Sequence, residues 1–270
     1  MSNEGAIWLI GCGNMGGAML RGWLADGIDA AQITVIDPAL KTVPDGVRLL
    51  ARCPTGEAPP ALALLAVKPQ SLKDVAAVIA PVLGGNTLLI SILAGVEIAT
   101  LRKHLPILQS VIRVMPNMPA AIGKGITILY ADAVSPADAA HAATLMAPLG
   151  GVEWITDERL FDAVTALSGS GPAFVFRFIE ALAQAGAALG LPEDQALRLA
   201  LATVEGSAAL AGQSSETPSQ LAERVASPNG TTRAGLDVLD EGDIFSNRVG
   251  ATLASAAHRS AELAASARDA

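Results

Sequence analysis

Cysteine, histidine and aromatic side chains are all scarce in this chain, and each shortage removes a class of function. Two cysteines, Cys12 and Cys53, cannot build a disulfide framework or a four-thiolate metal site. The three histidines, His104, His141 and His258, share no ligand spacing, so no metal is expected. Only 3% of residues are aromatic although 51% are hydrophobic, which leaves an aliphatic, alanine-rich core and a large helical fraction. Basic charge is short as well. The formal net charge is −8 and no basic stripe offsets it, so nucleic acid is not an expected partner. Long hydrophobic runs are missing despite a mean hydropathy of +0.44. The longest, such as Ala61 to Val67, are strand-sized and fall well below the roughly 18 residues of a membrane span. With no basic start before the first strand at Ile7, the expectation is a soluble cytoplasmic protein with no membrane partner.

What is present falls into two halves of different period. A chain of 270 residues exceeds the usual single-domain size. Up to about residue 156, short aliphatic runs alternate with helical patterns: Ala6–Ile10, Ile33–Ile36, Leu62–Val67, Thr87–Ile92, Val111–Val114, Ile126–Tyr130 and Val152–Thr156. Aliphatic runs without polar alternation are typical of parallel strands covered on both faces, so an α/β, Rossmann-like doubly wound sheet is predicted. The sense of the later strands stays open. From about Glu158 onward strand signals stop, and Phe161–Leu191, Glu193–Ala211, Pro218–Val225 and Ile244–Ala267 read as helices apolar on more than one face. Such helices cannot bury themselves alone and are expected to interlock with a second subunit. The predicted division is a dinucleotide-binding domain over residues 1–157 and an all-α C-terminal substrate-binding and dimerisation domain over 158–270.

Gly11-Cys12-Gly13-Asn14-Met15-Gly16 directly follows the first strand and opens a helical run. In that setting the spacing has a physical meaning: Gly11 for the turn, Gly13 for close approach of pyrophosphate, Gly16 for helix-on-strand packing. The helix N-terminus offers free N–H groups to phosphate. Cys12 reads as a small filler. Asp37 ends the second strand about twenty residues on, where a carboxylate accepts ribose hydroxyls of NAD(H) but repels a 2′-phosphate. Only Lys41 lies near to offset it, so NADH is the expected preference over NADPH; a solvent-facing turn role for Asp37 is the alternative.

Further clusters follow: Ala66-Val67-Lys68-Pro69-Gln70, Leu93-Ala94-Gly95, Arg113-Val114-Met115-Pro116-Asn117-Met118-Pro119, Ser168-Gly169-Ser170-Gly171-Pro172 and Ser227-Pro228-Asn229-Gly230-Thr231-Thr232. Small residues between apolar helical patterns allow close backbone approach to a ligand or a second subunit. In this order, and along nearly the whole chain, these motifs resemble the pyrroline-5-carboxylate reductase family. The resemblance implies reduction of 1-pyrroline-5-carboxylate to L-proline by NAD(P)H. It also implies the site residues. The glycine loop, with Cys12, Asn14 and Met15, would hold the dinucleotide together with Ala66, Val67, Lys68, Pro69, Leu93, Ala94, Gly95 and Asn117. Thr232 would hydrogen-bond the ring nitrogen of the substrate and act as the catalytic residue. Gly230 and Thr231 would present N–H groups to its carboxylate, flanked by Ser227 and Asn229, and Glu158 would lie beside the pocket. The family commonly assembles as a homo-oligomer, a dimer or a pentamer of dimers.

Three positions depart from the family pattern: Asp37, Met118 in place of threonine, and Asn229 in place of glycine. Asparagine tolerates positive φ better than other non-glycine residues, which suits it to position 229. A cyclic imine needs little acid–base machinery, since its nitrogen arrives protonated and alignment supplies much of the rate. A β-hydroxyacid dehydrogenase is the alternative enzyme, but it requires a lysine in the helical half, and none occurs from Glu158 to Ala270. A non-catalytic NAD(P)-binding sensor is a third reading; it leaves residues 227–232 without a reason.

Overall fold

The aliphatic runs become the strands of one eight-stranded sheet in a computed structural model that describes residues 5–268. In chain order the strands are β1 (Ile7–Ile10), β2 (Ile33–Ile36), β3 (Arg48–Leu50), β4 (Leu62–Leu65), β5 (Leu88–Ser91), β6 (Val111–Met115), β7 (Gly125–Tyr130) and β8 (Gly150–Trp154). Their spatial order is β3-β2-β1-β4-β5-β6-β7-β8. All neighbours pair in parallel except β6 and β7, which are antiparallel. That exception arises because the short link Pro116–Lys124, one 3₁₀ turn at Met118–Ile122, is too short for a helical crossover.

Period-2 alternation inside the fully buried strands sorts the core into two layers. Ile7, Leu9, Leu64 and Ile90 face helices α1 (Asn14–Ala25) and α4 (Pro136–Met146), meeting Met19, Trp23 and Leu145. Trp8, Ile10, Leu65 and Leu89 face the opposite pair, α2 (Leu72–Ile79) and α3 (Ile98–His104), meeting Ile79 and Leu101. Each such side chain contributes on the order of 1.5–3 kcal/mol by leaving water. One polar tie crosses the first layer: the Trp23 indole N–H donates to the Leu145 carbonyl at 2.8 Å.

Beyond the sheet the chain is helical, as its composition predicts. The sequence pattern Phe161–Leu191 is interrupted: α5 (Phe161–Val164) runs into a π turn at Thr165–Gly169 before α6 (Gly171–Ala188) begins. Then follow α7 (Glu193–Gln213), α8 (Pro218–Val225), α9 (Thr231–Leu239) and α10 (Ile244–Arg268). The contacts divide the described chain into two units. The first runs to Ser170 and takes back the end of α10 from Ala256 onward; the second is Gly171–Ser255. This division falls after the π turn, and Phe161 and Ala166 are buried within the first unit.

Within the second unit the buried hydrophobic residues are Ala196, Ala200 and Ala226, all small. Phe176, Phe178, Leu199, Leu210 and Val238 stay exposed. A cavity of about 820 Å³ runs between α6 and α7, with Phe176, Ile179 and Leu197 among its walls. Apolar area left uncovered on this scale marks an association surface. Among the described residues, no helix is long and apolar enough to cross a membrane.

Candidate functional site

The strand order reverses direction between β1 and β4, so the loops leaving their carboxyl ends diverge and open a crevice, the usual ligand position in such a sheet. The glycine loop occupies it. Gly11 has φ +85° and donates its N–H to the Ile36 carbonyl; a Cβ there would lie 2.7 Å from the Ala66 carbonyl oxygen. Gly16 sits in the first turns of α1, where a Cβ would lie 2.7 Å from the Gly11 carbonyl. Gly13 is different. It caps α1 with no side-chain hydrogen bond, and a Cβ on it would meet nothing within 4 Å. The three glycines thus divide into two required by packing and one bordering open space, the division that a dinucleotide pyrophosphate requires.

Asp37 reaches across to this loop. Its Oδ2 accepts the Cys12 N–H at 2.8 Å, and its Oδ1 accepts the Ala39 N–H at 2.8 Å. The carboxylate therefore ties the end of β2 to the turn after β1 and closes its own turn. Burial, followed by the Asp37 charge, pushes the Cys12 thiol up from its ordinary range, so it stays protonated at neutral pH. A cavity of about 670 Å³ opens beside the loop, walled in part by Gly13, Asn14, Met15, Leu40, Thr42 and Met118.

The other sequence-predicted segments leave the same edge of the sheet. Ala66 and Val67 follow β4 and pack against Gly11; Lys68 is exposed and precedes a 3₁₀ turn begun by Pro69. After β5, the Leu93 side chain is buried in the core, Ala94 is exposed and Gly95 takes φ +75°. Leu93 can thus offer a ligand only its backbone.

Asn117 is buried and bonded through both ends of its amide. Its Nδ2 donates to the Ser168 carbonyl at 3.1 Å, and its Oδ1 accepts the Ile126 N–H at 3.0 Å. Of the two roles its amide suits, holding a loop or facing a ligand, these bonds serve the first. They bind the Met-Pro-Asn-Met-Pro segment to the π turn, where Gly169 passes so close that a Cβ would lie 2.7 Å from Met115 Cε.

Glu158, expected beside the substrate, has internal partners. Its Oε1 accepts the Ile98 N–H at 2.9 Å and pairs with the Arg113 guanidinium at 3.1 Å. Arg113 is 5% exposed and lies 3.9 Å over the Phe161 ring, which meets Tyr130 edge-on. Burial pulls the Arg113 pKa down while Glu158 opposes that shift. Phe161 and Tyr130 carried no signal of this role in the sequence, being single aromatics in apolar stretches.

Ser227–Thr232 lies in the second unit. Asn229 does adopt φ +60°, and Gly230 donates its N–H to the Ser227 carbonyl at 2.9 Å, closing a turn. Gly230 then caps α9 without a side-chain bond, which places Thr231 and Thr232 in its first turn. The N–H groups there have no intrahelical acceptor and carry the positive end of the helix dipole. Thr231 and Thr232 are exposed. No group of histidine, cysteine and acidic residues suited to a metal occurs among the described residues.

Two family models match, one over each half of the chain. Residues 158–263 match the model for pyrroline-5-carboxylate reductase dimerisation, and residues 6–95 match that for NADP oxidoreductase, coenzyme F420-dependent. The pyrroline-5-carboxylate reductase of Pseudomonas aeruginosa is 39% identical over 96% of each chain. That of Escherichia coli is 37% identical over 88% of this chain and 91% of its own. Among solved structures, the reductase of Coxiella burnetii superposes with a TM-score of 0.90 at 32% identity, covering 97% of this chain and 99% of that one. The Plasmodium falciparum enzyme, solved with NADP bound, gives 0.82 at 28% identity over 97% and 98%. With relatives this similar along nearly the whole chain, this chain belongs to the pyrroline-5-carboxylate reductase family.

Proposed function

We propose that this protein reduces 1-pyrroline-5-carboxylate to L-proline. The observation that carries the reading, beside family membership, is the uncapped first turn of α9, where Gly230, Thr231 and Thr232 offer backbone and hydroxyl groups. Gly230 and Thr231 bind the substrate carboxylate through N–H groups, and the Thr232 hydroxyl holds the ring nitrogen. Ser227 and Asn229 shape the turn. The imine nitrogen enters protonated, C5 gains a hydride, and the C5=N pair of electrons returns to nitrogen, giving the secondary amine of proline. No further proton has to be moved, so alignment is the chief task of the protein.

Gly11, Gly13 and Gly16, with Cys12, Asn14, Met15, Ala66, Val67, Lys68 and Pro69, would hold the dinucleotide, and Leu93, Ala94 and Gly95 would border its nicotinamide end. The reduced nicotinamide ring is the hydride source when bound. The Asp37 carboxylate favours NADH by repelling a 2′-phosphate. Residues 158–270 would serve substrate binding and dimerisation, with the exposed apolar faces of α6 and α7 covered by a second copy and the dimers gathered five to a ring. The free thiols of Cys12 and Cys53 suit a reducing, cytoplasmic setting.

The test is isotopic. With dinucleotide deuterated at C4 of the nicotinamide, proline formed by this protein should carry deuterium at C5. Proline without the label, or no proline, would remove the reading.

A further inference from the structure

The turn between β5 and α3 is held from two sides by residues that come after the sheet in sequence. Val96 N–H closes the turn on the Leu93 carbonyl, and Gly95, at φ +75°, points its missing side chain at α10. A Cβ at Gly95 would lie 3.1 Å from the Ala264 nitrogen and 3.2 Å from the Leu263 carbonyl carbon. Arg268 pairs with Glu97 at 2.7 Å on the same helix end. On the other side Glu158 Oε1 accepts the N–H of Ile98, the first residue of α3. The two anchors share a base. Glu158 is oriented by Arg113, which stacks on Phe161, while the next residue, Asp162, accepts the hydroxyl of buried Ser260 on α10 at 2.7 Å.

We infer that Glu158 is a positioning residue: with the end of α10, it fixes the Leu93–Glu97 turn and thereby the nicotinamide end of the bound dinucleotide. The inference rests on the proposal that this turn borders the nicotinamide. A charged carboxylate accepting the first N–H of a seven-residue helix is a strong local constraint on the turn before it. The rival role, contact with the substrate through charge, predicts a different response to the amide. In Glu158→Gln the side chain would still accept the Ile98 N–H but would offer substrate no negative charge.

The experiment titrates wild type, Glu158→Ala and Glu158→Gln with ADP-ribose, which reaches the glycine loop but lacks nicotinamide, and with NADH and NADPH. Michaelis constants for 1-pyrroline-5-carboxylate are measured alongside. The expected result is unchanged ADP-ribose affinity throughout, NADH and NADPH affinity weakened about tenfold in Glu158→Ala, and recovery in Glu158→Gln. Equal impairment of both variants in the imine KM, with dinucleotide affinity intact, would overturn the inference in favour of substrate contact. Should Glu158→Ala not fold, Ser260→Ala loosens the same turn from the helix side. It should show the same selective loss for the nicotinamide ligands, and uniform affinity would overturn the inference. Failure of the underlying proposal shows in wild type instead, as NADH and NADPH binding no tighter than ADP-ribose.

Discussion

Asp37 Oδ2 and the Cys12 N–H stand 2.8 Å apart, so one carboxylate joins the end of β2 to the glycine turn after β1. The carboxylate thereby sits at the loop where an adenosine ribose is bound in folds of this kind. Asp37→Ser should weaken NADH by about tenfold and strengthen NADPH, since a repelling charge leaves while a hydroxyl remains to accept the Cys12 N–H. Comparing kcat/KM for the two dinucleotides decides the matter. Equal change in both would mean that Asp37 only braces the loop.

Gly13 and Gly16 should separate stability from binding. Gly16→Ala forces a methyl toward the Gly11 carbonyl, which is backbone and cannot turn aside, so a cost of about 1–3 kcal/mol and a lower melting temperature are expected. Gly13→Ala meets open space, so the melting temperature should hold while dinucleotide affinity falls at least about tenfold. Thermal unfolding and fluorescence titration of the two variants check the contrast.

Thr232→Ala removes the hydroxyl proposed to hold the ring nitrogen. Turnover should fall roughly 10- to 100-fold, with dinucleotide affinity within about twofold of wild type. Thr232→Ser should recover much of the rate. An unchanged rate in the alanine variant, measured under saturating substrate, would take Thr232 out of the mechanism.

Phe176 is 53% exposed on α6, and Leu197 on α7 is 46% exposed. Placing a charge there, as in Phe176→Glu, should disrupt association and lower the mass found by light scattering, because burying an unpaired carboxylate costs several kcal/mol. Wild type should be at least a dimer. A monomeric wild type would contradict the role given to these helices.

Much of the sheet was legible because buried parallel strands carry unbroken aliphatic runs, as in Ile7–Ile10 and Leu62–Leu65. Strand β3 was not legible. Arg48–Leu50 is a three-residue edge strand paired on one side, so neither length nor two-sided burial marks it. The antiparallel sense of β7 depends on a short 3₁₀ link and on no property of the strand itself. Helix α9 escaped notice because its opening Gly230-Thr231-Thr232 reads as a turn and Gly235 weakens the middle. The break at Thr165–Gly169 was hidden because a π turn needs no distinctive residue type. In the site, the glycine spacing and the positive φ of Asn229 were readable from local stereochemistry. The partners of Glu158 and Asn117 were not, since Ile98, Arg113, Ser168 and Ile126 reach them only through the tertiary fold.

The most direct measurement is the initial rate of dinucleotide oxidation with 1-pyrroline-5-carboxylate, using NADH and NADPH at matched concentrations. Imine-dependent turnover with both, and a higher kcat/KM for NADH, is the predicted result. Tight dinucleotide binding with no imine-dependent oxidation of either would contradict it and leave a nucleotide-binding protein without the reductase reaction.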